Sequence, residues 1–300
     1  MWDFMVRNWL GLLILLALLA GMGVLFRFYA RKMIDVMKRV YLGAILVFLY
    51  APILVLVVFS FNATKTRGLW GGFSTRWYEA LFQDRQIMQA LYNTVLIAVI
   101  AAVVATVIGT AAAFGIHAMK SRAKKVVLSI TNLPVMNPDI VTGISLMILF
   151  TFFFGILQKF GIKANLGFTT LLLAHITFNI PYVILSVLPK IRQLDANIFE
   201  AAQDLGATPF YAFTKVILPE VMPGIVTGAI FAFTLSLDDF VISFFTTGAG
   251  VDNLSILIFS EARKGIKPTM NALSTIMFAV VMLLLFFINR RDSESLGTNA

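Results

Sequence analysis

Residues 200–219 read Glu200-Ala201-Ala202-Gln203-Asp204-Leu205-Gly206, then Ala207 through Lys215, then Val216-Ile217-Leu218-Pro219. Glu200, Ala201 and Ala202 near a helix start set a carboxylate at the positive end of the helix dipole and leave small side chains for close approach. Gly206 permits the left-handed conformation that ends a helix. Thr208 as a cap and Pro209 at the first helical position then begin a second short helix. Phe210, Tyr211 and Phe213 crowd that second helix. Physics alone leaves two readings of them: aromatic knobs seated in another protein's groove, or a loop folded back onto its own bundle.

What flanks this loop decides the fold class. Apolar residues make up 59% of the 300, charged residues 13%, and the mean hydropathy is +0.89. A soluble domain needs far more charged surface, so lipid must solvate much of the chain. Apolar segments recur at 9–29, 40–61, 91–118, 126–157, 168–188, 221–245 and 269–289. Each approaches or exceeds the roughly 20 residues that a span requires, and each reads as a helix because a spanning segment must satisfy its own backbone hydrogen bonds. The 126–157 segment is the least regular, since Pro134 and Pro138 make its first half a loop or a broken helix. The run Leu10 to Phe26 has Arg7 before it and Arg27, Arg31 and Lys32 after it. No small-residue cleavage site follows and the basic cluster lies on the wrong side for a signal peptide, so a retained membrane helix is expected.

Basic residues orient the bundle. Arg27, Arg31, Lys32, Lys38 and Arg39 flank one connection, and Lys120, Arg122, Lys124 and Lys125 fill the next on that side. Lys190, Arg192 and Lys215 lie in 189–220, and Arg290 and Arg291 follow the last segment. All four groups fall on one side of an alternating topology, which makes that side the cytoplasm, the N-terminus outside and the C-terminus inside. The net charge of +9 and pI near 9.9 therefore read as topology signals and lipid-headgroup contacts, not as a nucleic-acid surface. The expected organisation is an extra N-terminal span and basic connection over 1–39, a transmembrane domain over 40–291, and a disordered polar tail over 292–300.

The spacing of Glu200-Ala201-Ala202, three residues, Gly206, nine residues and Val216-Ile217-Leu218-Pro219 resembles the EAA loop of ABC importer permeases, with Val216 where that family usually has Ile. From about Tyr41 onward the chain is similar to the spermidine/putrescine permeases of the PotC type. The stretches that carry this are Phe59-Ser60-Phe61-Asn62, Gly72-Phe73-Ser74-Thr75-Arg76-Trp77-Tyr78, Asn137-Pro138-Asp139-Ile140-Val141, His175-Ile176-Thr177-Phe178 and Phe233-Thr234-Leu235-Ser236-Leu237-Asp238-Asp239. The resemblance implies an all-α polytopic bundle of the MetI-like permease type, with six core spans and one extra. It implies a coupling role for Glu200, Ala201, Ala202, Asp204, Gly206, Phe210, Tyr211, Leu218 and Pro219, docked on a partner ATPase. The implied partners are ATP-binding subunits, a second homologous permease and an extracytoplasmic polyamine-binding protein.

Asp139, Asp238 and Asp239 lie within apolar spans, where a carboxylate costs about 2.5–3.5 kcal/mol on insertion scales. Either they line a path for a cation or they pair with a basic residue on another helix. Counting about 1.5 Å per residue puts Asp139 about 20 Å from Val126 and Asp238 about 26 Å from Val221, at comparable depth. On one continuous helix Ser236, Asp239, Phe240 and Ser243 share a face, and Thr234 and Asp238 another. Trp77 and Tyr78 read either as early contacts for a cation or as anchors of the aromatic belt. His175 is expected to hold helices together rather than bind a ligand.

No phosphate-binding loop occurs, so ATP hydrolysis is assigned to a partner. With two His and no Cys, no metal site or cofactor is expected. The rival readings are an ABC permease for another cationic or small solute and a proton-coupled secondary transporter.

Overall fold

A computed structural model describes residues 33–34, 36–65, 69–195, 197–248, 251, 253–265 and 267–297, with side chains described as far as Leu283. The run Leu10 to Phe26, expected to be an extra span, lies outside the described residues. The chain divides into two units, 1–59 and 60–300. Helix α1 (Val36–Ser60, 25 residues) supplies most of the described part of the first. No residue of its most apolar 18-residue stretch is buried, the pattern of a helix solvated by lipid.

The second unit opens with a loop tied around Asn62. Its Nδ2 donates to the Leu69 carbonyl at 2.8 Å and its Oδ1 accepts the Gly71 N–H at 2.8 Å. Helix α2 (Arg76–Gln83) turns Trp77 and Leu81 inward, and α3 (Arg85–Ala118) begins at once, capped by Asp84, whose Oδ1 accepts the N–H groups of Gln86 and Ile87. The 62–90 connection expected from the sequence is thus a knot and a short helix, and α3 starts six residues early. Trp77, Leu81, Ile87 and Ala90 share a core with Leu254, Leu257, Met270 and Leu273.

Helices α4 (Ser121–Met136) and α5 (Asp139–Lys159) replace the single expected segment 126–157. The break falls at Asn137, whose extended backbone (φ −80°, ψ 146°) is what a residue before proline prefers, while Pro134 stays inside α4. Helix α6 (Phe168–Gln193) follows. After it come α7 (Ile198–Asp204), α8 (Pro209–Ala212), a π-helical turn (Phe213–Ile217) and α9 (Leu218–Asp238). The expected span 221–245 is not one helix. It ends at Asp238, because Asp239 turns extended (φ −66°, ψ 124°), and resumes as α10 (Val241–Thr246). Helices α11 (Leu254–Lys264) and α12 (Pro268–Gly297) complete the unit. The tail expected to be disordered from 292 is helical as far as Gly297; residues 298–300 lie outside the described residues.

Small residues explain how α3, α6 and α9 form the centre. Ala98, Ala101, Ala105, Gly109 and Ala113 line one face of α3, and Gly224, Gly228 and Ala232 line α9. Where lipid offers no hydrophobic driving force between helices, such faces bring backbones close enough for dispersion to act. At Gly109 the approach is tight, since a Cβ would lie 2.7 Å from Cβ of Val183 on α6.

Candidate functional site

Asp238 and Asp239 straddle the break between α9 and α10 and face different surroundings. Asp239 turns inward, its side chain 7% exposed. Its Oδ1 accepts the Ile242 N–H at 3.2 Å and its Oδ2 the Ser243 N–H at 2.7 Å. These are orphan donors at the start of α10, and a carboxylate there satisfies both hydrogen bonding and the helix dipole. Asp238 turns outward, exposed, with no hydrogen bond or ion pair among the described residues. The face-sharing expected of one continuous helix therefore does not hold: the break separates Ser236 from Asp239 and Ser243.

A buried polar chain holds this break in place. His175 Nε2 on α6 shares a hydrogen bond with Ser243 Oγ at 3.0 Å and stands 3.6 Å from Asp239 Oδ2. Asn253 Nδ2 donates to the same Ser243 Oγ at 3.0 Å. The N–H of Leu254, at the start of α11, donates to Thr94 Oγ1 on α3 at 2.9 Å. One turn along α6, Asn179 Nδ2 donates to Ser236 Oγ at 2.6 Å. His175 thus holds helices together, as its sequence context led one to expect. The partners Ser243, Asn253 and Thr94 were not anticipated, because nothing local in the sequence marks a serine or asparagine as buried.

The other sequence candidates fall as follows. Asp139 occupies the first turn of α5, exposed, with no hydrogen bond or ion pair among the described residues. One turn further, a Cβ on Gly143 would lie 3.4 Å from the Val241 carbonyl, which sets Asp139 within roughly two helical turns of Asp239 in depth. Ser236 is 1% exposed, and its Oγ accepts a hydrogen bond from Asn179. Trp77 is 7% exposed, and its indole N–H donates to the Asn62 carbonyl at 2.6 Å. The Arg76 guanidinium carbon stands 4.1 Å from the centre of that ring, and the bond to Asn62 ties the ring into the core.

At the opposite end of α9 the 198–219 loop has the expected local geometry. Gly206 takes φ +88°, its N–H donates to the Gln203 carbonyl at 2.8 Å, and the Ala207 N–H donates to the Ala202 carbonyl at 3.1 Å. This pair of bonds is the Schellman closure of α7. Thr208 Oγ1 accepts the Tyr211 N–H at 3.3 Å and caps α8, with Pro209 at its first position. The aromatics divide their roles. Phe213 folds back edge-on against Phe114 of α3, ring centres 5.1 Å apart, and Ala212 and Ile217 are buried. Phe210 is 78% exposed, Tyr211 56% and Leu205 90%. Leu205, Gly206, Thr208, Tyr211 and Val216 border a cleft of about 490 Å³. Glu200, Ala201, Asp204 and Pro219 are also exposed, while Ala202 and Leu218 are half-buried.

The chain is similar to known proteins along most of its length. Residues 105–291 match the family model for the binding-protein-dependent transport system inner membrane component. The putrescine transport system permease protein PotI of Escherichia coli K12 is 41% identical over 244 residues, 80% of this chain and 84% of that one. The spermidine/putrescine transport system permease protein PotC of the same strain is 38% identical over 260 residues, 86% of this chain and 95% of that one. A crystal structure of a bacterial alginate ABC transporter, in complex with an alginate pentasaccharide-bound periplasmic protein, contains a chain with the same fold. Its TM-score is 0.67 at 18% identity, covering 86% of this chain and 93% of that one.

Proposed function

This chain belongs to the family of binding-protein-dependent transport inner membrane components, and from that premise we propose that it forms one half of the membrane path of an ATP-driven polyamine importer. As a permease of that family it is a transport subunit, and the bond-breaking step, hydrolysis of ATP, belongs to a partner. Membership sets aside the proton-coupled secondary transporter.

The observation that carries a cationic substrate is the outward-facing Asp238, an intramembrane carboxylate with no counter-ion among the described residues. A charge left in such a place is costly unless something passing by compensates it, and an ammonium group does. The relatives named above narrow the cation to a polyamine. Asp239, by contrast, shapes the break that presents Asp238, and Asp139 adds a second accessible carboxylate near the same depth.

In this reading an extracytoplasmic binding protein delivers the polyamine to this chain and a homologous permease. ATP-binding subunits grip the knobs Leu205, Phe210 and Tyr211 from the end of the bundle that carries Lys120, Arg122, Lys190 and Arg192, which is the cytoplasmic end. Force at that loop reaches α9 directly, because the π-helical turn joins it to α9 without a flexible linker. A cysteine at Leu205 tests contact and orientation together. It is expected to cross-link to the ATP-binding subunit in the assembled complex and to resist an impermeant reagent added outside intact cells. Labelling from outside, with no cross-link, contradicts both.

A further inference from the structure

Phe240, two residues after Asp238, stands in a row of aromatic rings that the reading above does not use. Its ring centre lies 4.4 Å from that of Phe259 on α11, tilted by 35°, and 5.6 Å from that of Phe244 on α10, tilted by 38°. Phe244 meets Phe245 edge-on at 5.4 Å. Phe245 in turn lies against α5, since a Cβ on Gly143 would come within 3.0 Å of its ring; Gly143 is one turn from Asp139. The row therefore runs from α11, past Asp238, to the start of α5 and Asp139. The row is accessible: Phe244 is 51% exposed and Phe259 42%, with Phe240 and Phe245 half-buried.

Two features separate this row from ordinary lipid-facing apolar surface. It is flanked by two accessible carboxylates that lack counter-ions among the described residues. It also already holds a cation of the chain's own, because the Arg263 guanidinium carbon stands 5.5 Å from the centre of the Phe259 ring. The electron-rich ring face attracts any such cation, and more strongly where water is excluded.

We propose that Phe259, Phe240, Phe244 and Phe245 form a cation–π track that carries a polyammonium chain between Asp238 and Asp139 and sets the preference among polyamines; this rests on the polyamine-import reading. Ammonium groups meet the carboxylates and ring faces, and the methylenes between them lie on the same apolar rings. A longer amine with more ammonium groups engages more rings at once, so the track favours it over a shorter one.

The test is uptake of putrescine and of spermidine by the complete transporter reconstituted in vesicles, comparing Phe240→Leu and Phe244→Leu with Phe240→Tyr and Phe244→Tyr. Removing a ring is expected to lower spermidine uptake about three- to thirty-fold, and putrescine uptake less, with the complex still assembled; the tyrosine variants stay near wild type. Phe259→Leu, at an exposed position on a separate helix, is expected to give the same pattern. The track is overturned if the leucine variants transport like wild type, if tyrosine and leucine variants fail alike, or if all the leucine variants lose assembly. A wild-type complex that imports neither amine overturns the polyamine reading and the track with it. An active wild type with unchanged leucine variants overturns the track alone.

Discussion

Asp238 and Asp239 are adjacent carboxylates on which the same substitution should act in different ways. Asp239 accepts two backbone N–H groups at the start of α10 and faces His175. Asp239→Asn removes the charge and leaves one acceptor for two donors, so it should destabilise the folded chain by about 1–3 kcal/mol. Asp238→Asn removes a charge that nothing in the described chain uses, so thermal stability and assembly should hold while polyamine uptake falls. Thermal unfolding of the purified complex, set beside uptake, separates the two. Equal loss of stability at both positions would mean that Asp238 is a counter-ion for a partner subunit's cation.

The 198–219 loop transmits force only if its backbone is fixed, and Gly206 is the residue that fixes it. Its φ of +88° lies where a side chain is strained, most of all a β-branched one. Gly206→Val is therefore expected to cost about 1–2 kcal/mol locally and to open the closure of α7. The chain should still insert in the membrane, but ATP hydrolysis should no longer respond to liganded binding protein. A response at the wild-type level would remove the loop from the coupling role.

This loop was also the most legible element. Gly206, Thr208 and Pro209 act through their own backbone, so residue type and spacing were enough to place two helices and their caps. The break between α9 and α10 was not legible, since neither Pro nor Gly marks it. It depends on Asp239 reaching the amides of a short helix whose Ser243 is held by His175 of α6 and by Asn253 at the start of α11. The burial of Trp77 was not legible for a related reason. An aromatic near a membrane boundary fits a belt anchor, and only the Asn62 carbonyl, fifteen residues away, draws the ring inward. Asp139 was intermediate, because Pro138 foretold a broken helix but not on which side of it the acid would lie.

At the scale of the whole molecule, a rigid centre of α3, α6 and α9 joins two ends with different tasks. One end of α9 continues into the exposed knobs of the 198–219 loop, and the other stops at Asp238. A tilt of α9 imposed at the loop therefore moves the carboxylate, and in the proposed reading this is how a partner's ATP hydrolysis would change the exposure of a bound cation. The close approach of α9 to α6 at Gly224, where a Cβ would lie 3.0 Å from the Ser186 carbonyl, leaves little room for that motion to be absorbed between helices. The most direct measurement is uptake of labelled putrescine and spermidine into vesicles that hold this chain with its partner permease and ATP-binding subunits, with binding protein outside and ATP inside. The account predicts accumulation that requires both ATP and binding protein and that falls in Asp238→Asn. Accumulation without ATP, or ATP-driven import of some other solute with no uptake of either amine, would contradict it.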